Sequence, residues 1–490
     1  MTDVLIVGGG PVGLTARALL ARWGVRTLLV EKREKLSPFP RSRLVNVRSM
    51  EIFRQLGIAD TVRSRAFAPR FGRIRFRDTL FGPDFGTAAM TGVHAPIPDS
   101  PEFGVVTSQD RLEPTLLAAA DDPMVFGAEL TGLSISDDGV TAVVGDQTIH
   151  ARYLLATDGA KSTVRSLLSI GTDGPGALSD MTTVVFDADL SEWSAAEPAG
   201  VYATAHGMFL PVYPEGGWAW ISPSTSDTDW ESLVSQAIGS PVAIKVQRVQ
   251  QWTITAFVAS SFRVGPVFLA GDAAHTVPGA GGLGMNTGLA GVHNLCWKLA
   301  ASLQGWASGS LLDSYQSERL PVAQITLRQA VANSRLMESA AASRRAQLLA
   351  GTPPDDVELP WSQQYFDQLG LVLGVAYGST VEPGTDYVPT PTRAPHAPPP
   401  APRRPFHPRR PRRVVHRLHA FPRRLAVPGS LARPHPAGHR MGPRPPGRAA
   451  RPPRRLHRRP PHHPRHLAHP SPHLSGSLGV LTPPEWLTWR

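Results

Sequence analysis

The chain has 490 residues, enough for two or three domains with full hydrophobic cores. Cys296 is its only cysteine, which excludes a disulfide framework and a cysteine-rich metal site and points to a reducing compartment, the cytoplasm. The net charge of +11 is local: Tyr387 to Arg490 carries 21 Arg, no Lys and one acid, Glu485, whereas the preceding residues carry 29 basic and 38 acidic groups, so a nucleic-acid function argued from basicity would rest on the C-terminal stretch alone. The N-terminus shows no signal segment and no apolar run is long enough to span a bilayer, so neither secretion nor a membrane partner is expected.

Val4-Leu5-Ile6-Val7 is an apolar run that predicts a strand. Gly8-Gly9-Gly10-Pro11-Val12-Gly13 follows at once, then an amphipathic helix from Leu14 to Trp23 and a second apolar strand from Val25 to Val30. Gly8, Gly10 and Gly13 fill G-x-G-x-x-G, and Glu31 stands 18 residues past the third glycine. The first glycine permits the turn, the second lets backbone approach a pyrophosphate, and the third brings helix and strand together. The helix N-terminus offers free N–H groups and a positive dipole end to phosphate. Glu31 can accept from a ribose hydroxyl. The pattern predicts a dinucleotide site and leaves open whether the dinucleotide is FAD or NAD(P).

A loop from Leu36 to Arg43 carries Arg41 and Arg43, within reach of a cofactor phosphate or ring edge or simply solvated. Val47 to Leu56 has helical spacing, with Gly57 as its stop. Residues 70–106 alternate in short stretches such as Ile74-Arg75-Phe76-Arg77 and predict strands of a second layer. Gln109 ends a short strand, and Arg111 to Ala120 reads as a helix. Val125 to Val144 reads as a hairpin turning at Asp137-Asp138-Gly139. The strand His150 to Ala156 leads into Thr157-Asp158-Gly159. From Gly171 to Phe262 the pattern is strand-like, interrupted by one helix from Trp230 to Ile238. Val267 to Ala270 is an apolar strand running into Gly271-Asp272-Ala273-Ala274-His275. Helices are expected from Gly284 to Leu303 and from Leu311 to Leu349, the second kinked or broken at Pro321.

The glycine turn with Glu31, Asp158-Gly159 after a strand, and Gly271-Asp272 after a strand stand in order. With GDAAH (271–275), GGLGMNTGL (281–289), NLCWKLAA (294–301), LLDSY (311–315) and ERLPVA (318–323), they resemble the class A FAD-dependent aromatic monooxygenases, p-hydroxybenzoate hydroxylase-like enzymes of the phenol and aromatic polyketide hydroxylase group. The resemblance covers roughly residues 1–390. It implies an α/β fold with a Rossmann-like FAD-binding domain (1–70, 105–170 and 263–350) and an inserted, mostly antiparallel β-sheet substrate domain (71–104 and 171–262). A helical connector (351–386) and a disordered C-terminal tail (387–490) would follow.

The resemblance further implies non-covalent FAD, NAD(P)H as co-substrate, and hydroxylation of an aromatic small molecule by O2 through a flavin C4a-hydroperoxide. The cofactor contacts it implies are Gly8, Gly10, Pro11, Val12, Gly13, Glu31, Lys32, Arg41, Gln109, Asp158, Gly271, Asp272, Gly284, Met285 and Asn286. Asp272 suits a ribityl or ribose hydroxyl, and the helix start near Gly281 to Asn286 suits a phosphate or the flavin pyrimidine edge. No catalytic residue and no metal are expected, because the cofactor carries the oxygen chemistry; Pro278 is expected near the flavin and His275 as a structural loop histidine. Two departures stand out: only one proline, Pro278, remains in Thr276 to Ala280 where many members have a pair, and Gly291 stands where an Asp is common. Phe209, Trp218 and Trp220 are substrate candidates; Trp218 and Trp220 share a strand face that either stacks on the ring or forms core. Phe81 to Phe85 is a candidate rim.

From Pro391 to Ser475 there is no Lys, Asp, Glu, Asn, Gln, Ile, Tyr or Cys. Proline recurs too often for helix or sheet. Two explanations stand: a basic arm for nucleic acid or membrane, or a frameshift near residues 386–400 of a GC-rich gene. The second is preferred, because the family continues past a run like Arg393-Ala394-Pro395-His396 into a thioredoxin-like domain. The functional alternatives are a related flavoprotein doing Baeyer–Villiger-type oxygenation or antibiotic inactivation, and a binding protein acting through the tail.

Overall fold

The first strand is apolar on both faces because both faces are covered. Val4, Leu5 and Ile6 are fully buried at the centre of an open, largely parallel sheet. The computed structural model describes residues 2–190, 198–213, 215–353, 368–375 and 377, and these belong to one compact unit. The tail from Tyr387 onward, with its expected disorder and frameshift, lies outside the described residues, as does most of the connector 351–386.

The first sheet runs, in spatial order, Arg263–Val264, Val267–Leu269, Gln147–Ala156, Thr2–Val7, Thr27–Glu31 and Met124–Phe126. Its four central pairings are parallel. The chain moves outward from Thr2–Val7 through Thr27–Glu31 to Met124–Phe126, then crosses back to Gln147–Ala156. That reversal creates a topological switch point beside Thr2–Val7, where open α/β sheets bind ligands at the strands' carboxyl ends. The hairpin Leu130–Ser136 and Gly139–Val144 extends the sheet antiparallel from the start of Gln147–Ala156. Pro11–Arg22 and Leu283–Leu303 are helices packed on each other. Proline suits the first helical position, where its missing N–H would have no partner.

The second sheet runs His275–Thr276, Lys245–Ala259, Thr172–Asp187, Gly216–Pro223, Gly207–Tyr213, Val201–Thr204, Arg73–Arg77 and Gly86–Ala89. Only Val201–Thr204 against Arg73–Arg77 is parallel. Register shifts mark irregularities in the long pair Thr172–Asp187 and Lys245–Ala259. One face is covered by the helix Trp230–Ile238, which Asp229 caps by accepting from Ser232 N (3.2 Å) and which ends at a left-handed Gly239.

Ser314–Ala350 is a single helix through Pro321, where a kink or break was expected. Proline removes one backbone hydrogen bond, but Tyr315 and Arg319 before it and Ala323, Thr326 and Leu327 after it are buried, so packing holds both halves on one helix. No helix among the described residues is long and apolar enough to cross a membrane.

Candidate functional site

Four parallel strand ends lie in one row. Val7 pairs with Val30 on one side and Ala156 on the other, and Ala156 pairs with Leu269. The residues that follow, Gly8, Glu31, Thr157-Asp158 and Ala270 to Asp272, therefore leave the sheet at the same edge. Three motifs scattered over more than half of the chain converge because strand register brings them together.

The glycines of the first turn divide their work. Gly8 has a left-handed φ of 106°, and a Cβ there would overlap the Thr157 carbonyl oxygen. A Cβ on Gly13 would overlap Gly8 O. A Cβ on Gly10 would meet nothing within 4 Å, so that face of the turn is open. Gly10 caps the helix Pro11–Arg22 with no side-chain hydrogen bond, leaving first-turn N–H groups for an anion. Pro11 and Val12 are half-buried. Val12 packs so tightly that a Cβ on Gly271 or Gly288 would crowd it. Glycine at 288, which sequence reasoning passed over, is what lets Leu283–Leu303 approach the turn.

Glu31 accepts from Gly9 N at Oε2 (2.7 Å) and from Arg33 N at Oε1 (2.9 Å). Each oxygen keeps a lone pair for a hydroxyl donor. Lys32 is exposed. Asp158 is committed within its own loop: Oδ1 accepts from Ser162 Oγ (2.6 Å) and Oδ2 from Val164 N (3.1 Å). These bonds fix the carboxylate at the start of its loop and leave each oxygen a further lone pair.

Asp272 is solvent-exposed yet crowded by protein, as a side chain at the floor of a cleft would be. The crowding pushes its carboxyl up to about 6 against the pull of Arg41, and solvent contact moderates that push. Burial and Arg33 lower the Arg41 guanidinium, while Asp272 and Glu113 raise it, so these charges lie within electrostatic reach of Arg41. Gln109 Nε2 donates to Glu113 Oε1 (2.7 Å), and Ser37 N donates to Glu113 Oε2 (3.1 Å). Glu113 is buried, which pushes its carboxyl up while these two hydrogen bonds pull it back. It orients Gln109, and its i,i+4 spacing from Gln109 was the available signal. Arg43 Nη1 donates to Gly200 O (2.8 Å) with its guanidinium over Phe67, but its buried Nε and Nη2 have no partner, and burial pushes it down to about 10.

The helix Leu283–Leu303 starts from left-handed Gly282 with no side-chain cap, so the N–H groups of Leu283, Gly284 and Met285 lack i−4 partners within the helix. Asn286, expected as a cofactor contact, has a fully occupied side chain. Its Oδ1 accepts from Asn46 N (2.9 Å) and Ser49 Oγ (2.7 Å), and its Nδ2 donates to Leu44 O (2.9 Å) and Gly282 O (2.7 Å). It clasps two segments, leaving only its backbone for other work. Pro278 is buried beside exposed Gly279. His275 is buried and pushed down to about 4, by burial first and Arg319 second, so it is neutral at pH 7.

The substrate expectation is corrected. Phe209, Trp218 and Trp220 belong to the hydrophobic core between the second sheet and the helix Trp230–Ile238, with Phe186, Tyr202 and Val234. Trp220 Nε1 donates to His206 O (3.1 Å). Of the two readings their alternation allowed, core is the one observed. The residues that instead meet the glycine turn at Gly281 are Met90, Thr91 and Val93, which line a cleft with Leu44, Val47 and Leu283. A larger cleft of about 410 Å³ lies between Pro40 of the cofactor loop and Val185, Tyr213 and Arg248 of the second sheet.

FAD fits these residues on three observations: the open face at Gly10, the orphaned Arg43 nitrogens, and the uncapped start of Leu283–Leu303. Comparison with known proteins agrees. Residues 1–330 match the family described as an FAD binding domain. A putative polyketide hydroxylase of Streptomyces coelicolor is 36% identical over 66% of this chain, and the match spans 56% of that relative. Aklavinone 12-hydroxylase DnrF of Streptomyces peucetius is 34% identical over 81% of this chain and 84% of its own length. Among solved structures, the flavin-dependent monooxygenase PieE in complex with FAD and substrate superposes with a TM-score of 0.71 at 30% identity, covering 79% of this chain and 77% of that one. With its glycine turn, its GDAAH loop and its open helix start on one sheet edge, the chain belongs to the class A FAD-dependent aromatic monooxygenases.

Proposed function

We propose that the chain takes electrons from NAD(P)H and an oxygen atom from O2 to hydroxylate an aromatic ring, a phenol or a fused-ring polyketide, in the cytoplasm. The observation that carries this reading is the convergence of Gly10, Asp272 and the helix start at Leu283 on one sheet edge, with a cleft lined by Met90, Thr91 and Val93 at that helix start. The names of the polyketide hydroxylase and aklavinone hydroxylase relatives favour a phenolic, polycyclic substrate. Buried Cys296 suits a reducing compartment.

Bound FAD supplies the hydride acceptance and oxygen activation. The chain's own residues hold and orient. Gly10 admits phosphate to the start of Pro11–Arg22, and Arg41 offsets its charge. Glu31 and Asp272 accept from ribose and ribityl hydroxyls. Gln109 presents its amide in the orientation Glu113 imposes. The N–H groups of Leu283, Gly284 and Met285, free at the uncapped helix start, would hold an electron-rich edge of the cofactor. Met90, Val93, Val47 and Leu283 keep water from the substrate side.

The test is direct. The purified protein, reconstituted with FAD, should be yellow and bleach with NAD(P)H under anaerobic conditions. In air, a phenol or hydroxylated polycycle should accelerate NAD(P)H oxidation and gain one atom from isotopically labelled O2. Failure to bind FAD, or NAD(P)H oxidation indifferent to every aromatic compound, refutes the reading. A ring-expanded lactone would assign Baeyer–Villiger oxygenation instead.

A further inference from the structure

Gln368 is one of several buried polar side chains with unpaired atoms, and both ends of its amide are unpaired. It is 6% exposed, and neither Nε2 nor Oε1 has a hydrogen-bond partner. Each unpaired buried group costs free energy that folding has no reason to spend. The amide lies on the cleft walled by Leu44, Val47, Met90 and Leu283. A Cβ on Gly281 would come within 2.5 Å of Gln368 Nε2, so glycine is what lets the amide reach the turn leading into Leu283–Leu303. The polar neighbours are already engaged. Asn333 donates to Ala280 O (3.3 Å) and accepts from Gln329 Nε2 (2.8 Å). Asn46 Oδ1 accepts from Ser49 N (3.0 Å). Gln368 is left as a free donor group and a free acceptor in a wall otherwise mostly apolar, with Asn46 and Thr91 its other polar side chains, whichever way the amide is turned.

We propose that Gln368 is a specificity residue that reads the polar edge of the aromatic substrate, accepting from a ring hydroxyl and donating to a neighbouring oxygen. The inference rests on the hydroxylase reading above and adds which group of this chain recognises the hydroxyl. Leu44, Val47, Met90 and Leu283 take the faces of the ring. The enclosed part of the cleft is about 20 Å³, room for one water, and the cleft is open on one side. A ring enters from that open side, past the short helix Leu369–Val372, whose following residue, Leu373, accepts a long hydrogen bond from Arg48 Nη2 (3.4 Å).

The test uses holoenzyme reconstituted with FAD, titrated through the flavin absorbance with two ring pairs: 2,4-dichlorophenol against 1,3-dichlorobenzene, and 1-naphthol against naphthalene. The wild type should prefer the hydroxylated member of a pair by about three- to tenfold, the worth of one net hydrogen bond. Gln368→Met and Gln368→Leu should bring that ratio to about one, with affinity for the hydroxyl-free ring and for FAD unchanged. An unchanged ratio overturns the proposal, because the amide then holds a trapped water only. Weakened FAD binding in both variants overturns it too, because the amide then serves the cofactor or the fold. Wild-type enzyme that shows no hydroxyl preference, yet oxidises NAD(P)H faster with an aromatic compound, removes the role of Gln368 and leaves the hydroxylase reading standing. NAD(P)H oxidation that no aromatic compound accelerates removes the hydroxylase reading, and the inference with it.

Discussion

Gly10 and Gly13 sit three residues apart in one turn and answer to different demands. Gly13→Ala drives a methyl into Gly8 O, so the protein without cofactor should lose about 1–3 kcal/mol, read by denaturant unfolding. Gly10→Ala meets nothing, so it should cost less than about 1 kcal/mol as a cap change, yet weaken FAD binding at least tenfold in a fluorescence titration. Equal effects on stability would sink the assignment of Gly10 to the phosphate. Asp272 adds a pH signature. Its folded carboxyl lies above the usual value, at about 6, so this group favours folding below about pH 4 and that contribution is lost as pH rises through 6. Asp272→Asn should flatten that part of the Tm–pH curve of cofactor-free protein, gaining at most about 1 kcal/mol because solvent screens the exposed carboxylate. The same variant should bind FAD more weakly. Glu113→Ala strands the Gln109 amide and Ser37 N–H and should cost about 1–3 kcal/mol.

At the scale of elements, legibility followed the range of the interactions. The helix starting near Leu283 was readable because its periodicity and glycines are local. The role of Asn286 was not, because Leu44, Asn46 and Ser49 lie about 240 residues away and no spacing announces them. Trp218 and Trp220 show the same limit. Alternation places them on one face, but only the docking of Trp230–Ile238 and Leu80 decides that the face is core. Asp158 stood out through the family resemblance, whereas its local partners Ser162 and Val164, in plain view four and six residues on, were passed over. Of the kink or break expected at Pro321 the break does not occur, because packing on both sides outweighs local propensity. Pro321→Ala should therefore restore a backbone hydrogen bond and stabilise the protein by about 1–3 kcal/mol, visible as a raised unfolding midpoint with unchanged helix content. A gain in helix content would mean the helix was interrupted.

Across the whole molecule, the two sheets are stitched at separate points. His275–Thr276, immediately after the Asp272 loop, pairs with Phe257–Val258 of the second sheet. The helix Ser314–Ala350, about 55 Å long, ends where Arg344 grips Asp78 through Nε–Oδ1 (2.6 Å) and Nη2–Oδ2 (2.7 Å). Arg344→Ala should cost about 2–3 kcal/mol, since it leaves a half-buried carboxylate without its bidentate partner. The row formed by Val7, Val30, Ala156 and Leu269 has a consequence for synthesis. During translation the glycine turn emerges first, but the strand that supplies Asp272 pairs only after some 260 further residues have been made. The helix bearing the open N–H groups comes later still. FAD therefore has no complete site on a nascent chain shorter than about residue 303, and long-range parallel pairing of this kind forms slowly. Cofactor capture is then a late event that locks an almost finished domain.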